Sequence, residues 1–271
     1  MLPIDLIQYC IFDKLDFITQ IRFRQLCKWL NRIEIHNMYY NIDGKYLSKL
    51  SDRILTNYPK IKYLHASDNP KIINVNHMSN LQILDASEIC CGINDNGIKD
   101  LNLIKLNASD NYNITNINHM TNLRILDASY TCGINDNGIK NLNLIEFNAS
   151  GNLEITTVNH MTNLKILDAS GNDCNIDDNG IKDLNLIKLY ASNNSKITNI
   201  NHMTKLQILD ASGKKCGLDD NGIKNLNLIE LSAKHNRKIT NVNHMTNLKI
   251  LDASGNDCSI DDNGINNLNL I

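Results

Sequence analysis

Proline, tryptophan and phenylalanine are nearly missing: 3, 1 and 4 residues in a chain of 271. So small an aromatic content argues against an ordinary globular enzyme, whose core draws much of its buried area from such side chains. Charge excess is missing too. The net charge is −2, which leaves no basic field of the kind nucleic-acid binding relies on. No apolar run approaches the ~18 residues of a membrane span, and mean hydropathy is −0.29. The opening residues Met1-Leu2-Pro3-Ile4-Asp5 lack a basic segment followed by an apolar one, so no secretory signal is read there. The eight cysteines are therefore expected to be reduced thiols in a soluble cytoplasmic or nuclear protein, with neither membrane nor nucleic acid as a partner.

Asparagine (45) and isoleucine (38) are abundant. Such a bias marks either low complexity or a repeat that uses both residues at fixed places. It is a repeat. The segment Asn-His-Met recurs with its histidine at His77, His119, His160, His202 and His244, separated by 42, 41, 42 and 42 residues. Each long unit holds two similar halves. One ends in Leu164-Lys165-Ile166-Leu167-Asp168-Ala169-Ser170 and the other in Leu186-Ile187-Lys188-Leu189-Tyr190-Ala191-Ser192. An alanine column runs through Ala66, Ala86, Ala108, Ala128, Ala149, Ala169, Ala191, Ala211, Ala233 and Ala253. Its steps alternate between 20 and 22 residues, with one of 21 where Cys90-Cys91 becomes the single Cys132.

One coil can be read from its periods. Leu167 and Ala169 lie two apart, the alternation of a strand. Ile155, Val158, Met161 and Leu164 recur every three, which suits a tight 3₁₀-like return. In the other half the return is Ile176-Asp177-Asp178-Asn179-Gly180-Ile181, where Asn-Gly is expected to supply a turn. Three residues after the alanine stands Asn69, Asn111, Asn152, Asn172, Asn194, Asn236 or Asn256, expected to point inward as a ladder of amides satisfying backbone groups.

These residues resemble the leucine-rich repeat, whose core reads L-x-x-L-x-L-x-x-N-x-L. The 22-residue halves are similar to the cysteine-containing class through Ile176, Asp178, Gly180, Ile181 and Leu184. Two features depart from the family: Ala replaces the second strand Leu, and Cys174 and its equivalents sit two residues past the ladder position. The resemblance implies an α/β solenoid, a leucine-rich-repeat arc with a parallel concave sheet and short returns, over residues 46–271. The near-identical Asn-rich copies also look like repeat proteins of giant DNA viruses.

Residues 1–45 change to helical spacing. Leu2-Pro3-Ile4-Asp5-Leu6-Ile7, then Ile11, Phe12 and Leu15, then Leu26 and Trp29, resemble the F-box, a three-helix module. One extra residue between Leu2-Pro3 and Ile11-Phe12, and Trp29 one place early, depart from that pattern. The resemblance implies docking of a Skp-family adaptor on Leu2, Pro3, Leu6, Ile7, Ile11, Phe12, Leu15, Leu26 and Trp29. The alternative is a plain helical cap, which solenoids also need.

Repeated cysteine and histidine columns invite a metal reading. Members of one column recur every second coil, so strands ~4.8 Å apart place them about 10 Å from one another. That is too far for a disulfide or a shared zinc. Asn175 to Gly180 mimics the start of a calcium loop, but its twelfth position is Leu186 rather than a bidentate Glu. No catalytic constellation appears, and no cofactor or metal is expected.

Outward strand positions should line the concave face. Alternate coils present Ile83/Asp85, Ile125/Asp127, Ile166/Asp168, Ile208/Asp210 and Ile250/Asp252. Intervening coils present Tyr63/His65, Lys105/Asn107, Glu146/Asn148, Lys188/Tyr190 and Glu230/Ser232. An acidic row beside an apolar row suits a basic protein partner. The expected function is a non-catalytic substrate-recognition adaptor of a cullin–RING ubiquitin ligase, acting in the host cell if the chain is viral. The alternative is an interaction scaffold with no ubiquitin link.

Overall fold

The computed structural model describes residues 15, 17–26, 37–38, 49–266, 268 and 270. Among these residues eleven parallel strands form one sheet in strict chain order. The first, β1 (Asn37–Met38), pairs with β2 (Tyr63–His65), so the sheet begins within the stretch whose spacing reads as helical. Then follow β3 (Ile83–Asp85), β4 (Lys105–Asn107), β5 (Ile125–Asp127), β6 (Glu146–Asn148) and β7 (Ile166–Asp168). The run closes with β8 (Lys188–Tyr190), β9 (Ile208–Asp210), β10 (Glu230–Ser232) and β11 (Ile250–Asp252). The result is a solenoid of about ten turns, matching the sequence expectation.

Register follows from the repeat. Leu64, Leu84, Leu106, Leu126, Phe147, Leu167, Leu189, Leu209, Leu231 and Leu251 pair in one row. From Leu64 to Leu231 that row is buried, each side chain removing enough apolar surface for about 1.5–3 kcal/mol. Because strand side chains alternate, the residue on either side of each Leu points out of the core. In the short returns Ile155, Val158, Met161 and Leu164 are all buried. Met161 N donates to Val158 O at 3.0 Å and Leu164 N to Met161 O at 2.9 Å, the expected three-residue bonding.

The ladder differs from expectation at two places. Asn69, Asn111, Asn152, Asn194 and Asn236 are buried, whereas Asn172 and Asn256 are exposed. In the long coils the buried cysteines Cys91, Cys132, Cys174 and Cys216 fill the inward corner instead. Cys216 Sγ donates to Ala191 O at 3.6 Å, as Asn194 Nδ2 donates to Ala169 O at 2.8 Å. The two added residues, with Gly171 at φ +102°, move the inward corner downstream. The displaced cysteine is thus the ladder rung of its coil.

Asn-Gly is not a reverse turn either. Residues Asp95–Ile98 (α3), Asp136–Ile139 (α4), Asp178–Ile181 (α5) and Asp220–Ile223 (α6) form single helical turns. Among the described residues two helices precede them, α1 (Phe17–Gln25) and α2 (Asp52–Leu55). Asp177 caps α5 by accepting from Gly180 N at 2.9 Å. Glycine is needed at 180 for proximity: a Cβ there would strike the Thr156 carbonyl of the preceding coil. The carboxylates of the calcium-like segment are likewise used within the fold, since Asp178 Oδ1 accepts from Thr198 N at 2.7 Å and Oδ2 from Thr198 Oγ1 at 2.6 Å.

The asparagine bias has a physical cause here, because an amide both donates and accepts across a coil boundary. Asn118 Nδ2 donates to Asn137 O at 2.6 Å, and Asn118 Oδ1 accepts from Asn141 N at 2.9 Å. The histidine column is exposed, yet His160 Nε2 also bridges coils, 3.1 Å from Ile139 O at the end of α4.

Candidate partner-binding face

The outward rows lie side by side along ten strands. Tyr63, Ile83, Lys105, Ile125, Glu146, Ile166, Lys188, Ile208, Glu230 and Ile250 form one. His65, Asp85, Asn107, Asp127, Asn148, Asp168, Tyr190, Asp210, Ser232 and Asp252 form the other. All are partly or fully exposed. The structure therefore gathers every residue named for this face onto one surface. Over β4 to β8 the face sinks into a depression of about 350 Å³ walled by Lys105, Asp127, Glu146, Asp168 and Tyr190 around the buried Phe147.

The carboxylates of the acidic row differ in their partners. Asp85 Oδ2 lies 2.7 Å from His65 Nδ1, and Asp85 Oδ1 accepts from Ser87 Oγ at 2.7 Å. Burial acts to raise its pKa, but the hydrogen bonds from His65 and Ser87 and the His65 charge outweigh it, so the carboxyl is held below its ordinary value. Asp127 Oδ2 accepts from Asn148 Nδ2 at 2.9 Å. Asp168 accepts from Ser170 N, two residues past the end of its strand, at 2.9 Å. Burial pushes its pKa up, the Ser170 bonds offset this only in part, and the Asp210 and Asp127 charges add to the rise. At the last strand, Ser254 bonds hold the Asp252 carboxyl low.

The buried cysteines of the column are chemically quiet. Burial raises the thiol pKa to about 11 at Cys91, Cys174 and Cys216 and to about 12 at Cys132. Among the described residues no three His, Cys, Asp or Glu side chains group closely enough to hold a metal ion. No helix among them is long and apolar enough to cross a membrane.

Of the adaptor-docking residues, two fall within the described chain. Leu15 is half-buried, with its carbonyl accepting from Gln20 Nε2 at 2.8 Å. Leu26, just past α1, is 72% exposed, while Phe23 of that helix packs against the solenoid core. Leu2, Pro3, Leu6, Ile7, Ile11, Phe12 and Trp29 lie outside the described residues.

A second and larger depression, about 750 Å³, opens on the rim just beyond the strand ends. Asp168 lines both. Tyr112, Tyr130 and Leu153 are not singled out by spacing, because the residue type at their positions changes from coil to coil. The available signal was the shortened coil at Tyr130-Thr131-Cys132.

No protein-family profile matches the chain, and no curated protein matches it. Several solved structures are similar in fold. An internalin of Listeria monocytogenes is 15% identical over 76% of this chain and 71% of its own, with a TM-score of 0.43. A chain in the structure of the yeast Rad7 and Elc1 complex is 18% identical over 91% of this chain and 83% of its own, at 0.40. The functional domain of InlJ from Listeria monocytogenes, described as including a cysteine ladder, is 18% identical over 80% of this chain and 49% of its own, at 0.39.

Proposed function

We propose that the chain is a non-catalytic adaptor that captures a target protein on the sheet face and docks a Skp-family adaptor through its N-terminal segment. The carrying observation is the outward face itself: a row of Ile83, Ile125, Ile166, Ile208 and Ile250 beside a row of Asp85, Asp127, Asp168, Asp210 and Asp252. Apolar area supplies affinity and the carboxylates select a basic partner. Exposed Leu26 beyond a helix anchored by Phe23 supports a second docking surface at the N-terminal end. The mechanism is proximity, since holding a target beside a ubiquitin-conjugating enzyme raises its effective concentration.

The test is capture of the full chain by a purified Skp-family adaptor. Leu2→Ala with Pro3→Ala abolishes capture while hydrogen exchange of the repeats stays unchanged. Undiminished capture by the double variant sinks the ubiquitin-ligase reading and leaves a protein-interaction scaffold, the reading that needs the sheet face alone.

A further inference from the structure

Each coil from β2 to β11 turns at a left-handed corner two residues after its alanine. The corner residues are Asp68, Glu88, Asp110, Tyr130, Gly151, Gly171, Asn193, Gly213, His235 and Gly255, all at positive φ. Their side chains form a rim that shields the next corner: Asn193 covers Gly213, and the His235 ring covers Gly255. Gly151 and Gly171 break this rim, because two consecutive coils carry no side chain there. The gap is the 750 Å³ depression.

One wall of the gap is an aromatic residue in an unfavourable conformation. Tyr130 has φ +55°, where a bulky L-residue is rare, and its equivalents two, four and six coils later are Gly171, Gly213 and Gly255. Its ring lies against Gly151, with Cδ1 3.1 Å from where a Cβ of that glycine would stand. The side chain is nevertheless 59% exposed. Tyr112 and Leu153 continue an apolar wall.

The lining also holds the carboxylates of Glu154, Asp168 and Asp173, and no Lys, Arg or His. Another corner of this chain shows what such a carboxylate takes. Asp257, equivalent to Asp173, is held by the Arg237 guanidinium and by Lys214 Nζ at 2.6 Å. In the gap, Leu153 and Thr131 stand where Arg237 and Lys214 do. The acceptor is kept, its two cations are replaced by an aliphatic and a hydroxyl side chain, and the Tyr130 ring stands beside them. A planar guanidinium suits both components, stacking on the tyrosine face while its N–H groups reach the carboxylates.

We propose that this notch is a subsite for an arginine side chain presented by a segment of the partner protein. It rests on the reading of the chain as a protein-binding scaffold and deepens it, since Asp168 joins the notch to the depression on the sheet face. A bound segment would lie across β4 to β8 and place its arginine over the strand ends.

The test uses the full chain, isotope-labelled, titrated with the blocked tripeptide Gly-Arg-Gly and with its citrulline counterpart, and followed at glycine amide resonances. The arginine peptide gives saturable shifts at Gly151 and Gly171 and none at Gly213 and Gly255, and the citrulline peptide gives none. Tyr130→Gly and Leu153→Arg each install the residue carried by equivalent positions of the chain, so folding is preserved. Each weakens binding roughly three- to thirtyfold, the first by removing the ring and the second by supplying an internal guanidinium. Silent Gly151 and Gly171 amides, equal shifts with citrulline, or undiminished binding by both variants overturns the proposal. Capture by the Skp-family adaptor is read separately, so failure of the notch and failure of the ubiquitin-ligase reading are told apart.

Discussion

The Asn194 side-chain amide donates to the Ala169 carbonyl at 2.8 Å and to Ile176 O at 3.1 Å, spanning the boundary between two coils. Its Oδ1 accepts from Lys196 N at 2.8 Å, so one buried amide satisfies backbone groups of two coils.

Replacing Asn194 by Leu leaves those carbonyls buried without a donor, at about 1–3 kcal/mol. Damage in a stacked array stays with its neighbours. Hydrogen exchange therefore accelerates first in the coils on either side of Asn194. Asn172→Leu, at an exposed position, stays within about 0.5 kcal/mol of the parent. Equal loss from the two variants contradicts the assignment of rungs.

Gly180→Ala drives a methyl group into the Thr156 carbonyl and costs about 1–3 kcal/mol. Chemical denaturation reads it directly. An unchanged midpoint would show that α5 can move off the preceding coil at no expense.

Thiol chemistry separates the cysteines. Cys174 and Cys216 are buried, with pKa raised to about 11, so almost no thiolate forms at pH 8. Cys90 is exposed. Peptide mapping after brief iodoacetamide treatment finds Cys90 modified and Cys174 and Cys216 protected until denaturant is added. Early labelling of Cys174 or Cys216 would mean that the corner opens in the native state.

Asp85 and Asp168 pull stability in opposite directions with pH. The Asp85 carboxyl is held low in the fold, so its contribution is present above the ordinary carboxylate pKa and is lost as pH falls through the folded value. The Asp168 carboxyl is raised, so ionisation disfavours the fold, and stability is lost as pH rises through its folded value. At pH 7, Asp85→Asn lowers the unfolding midpoint and Asp168→Asn raises it. The Asp168→Asn gain vanishes as pH approaches the ordinary carboxylate range. A gain independent of pH would place its cause outside charge.

The periods made much of this legible. Leu167 and Ala169 recur at fixed steps, and burial acts on every copy in the same way, so strand, core row and outward face all follow from spacing. Asn172 misled because it has the same residue type and the same offset from its alanine as Asn152, while the two added residues reposition the corner. The role of Gly180 depends on the preceding coil's backbone, which no local pattern contains. Tyr130 is plain in the sequence, but its positive φ and its place against Gly151 arise only when coils stack.

Alternation of asparagine and cysteine rungs makes successive coils unlike one another. Asp178 of a long coil clasps Thr198 of the short coil after it, and Asn201 of that short coil clasps Asn221 O of the next long one. These two junctions are not interchangeable. Excising a single coil would bring together surfaces that never meet in this chain, whereas excising a pair recreates a junction already present. The gene can therefore gain or lose reach in whole pairs with every clasp intact, and an arm of different length is within easy evolutionary distance.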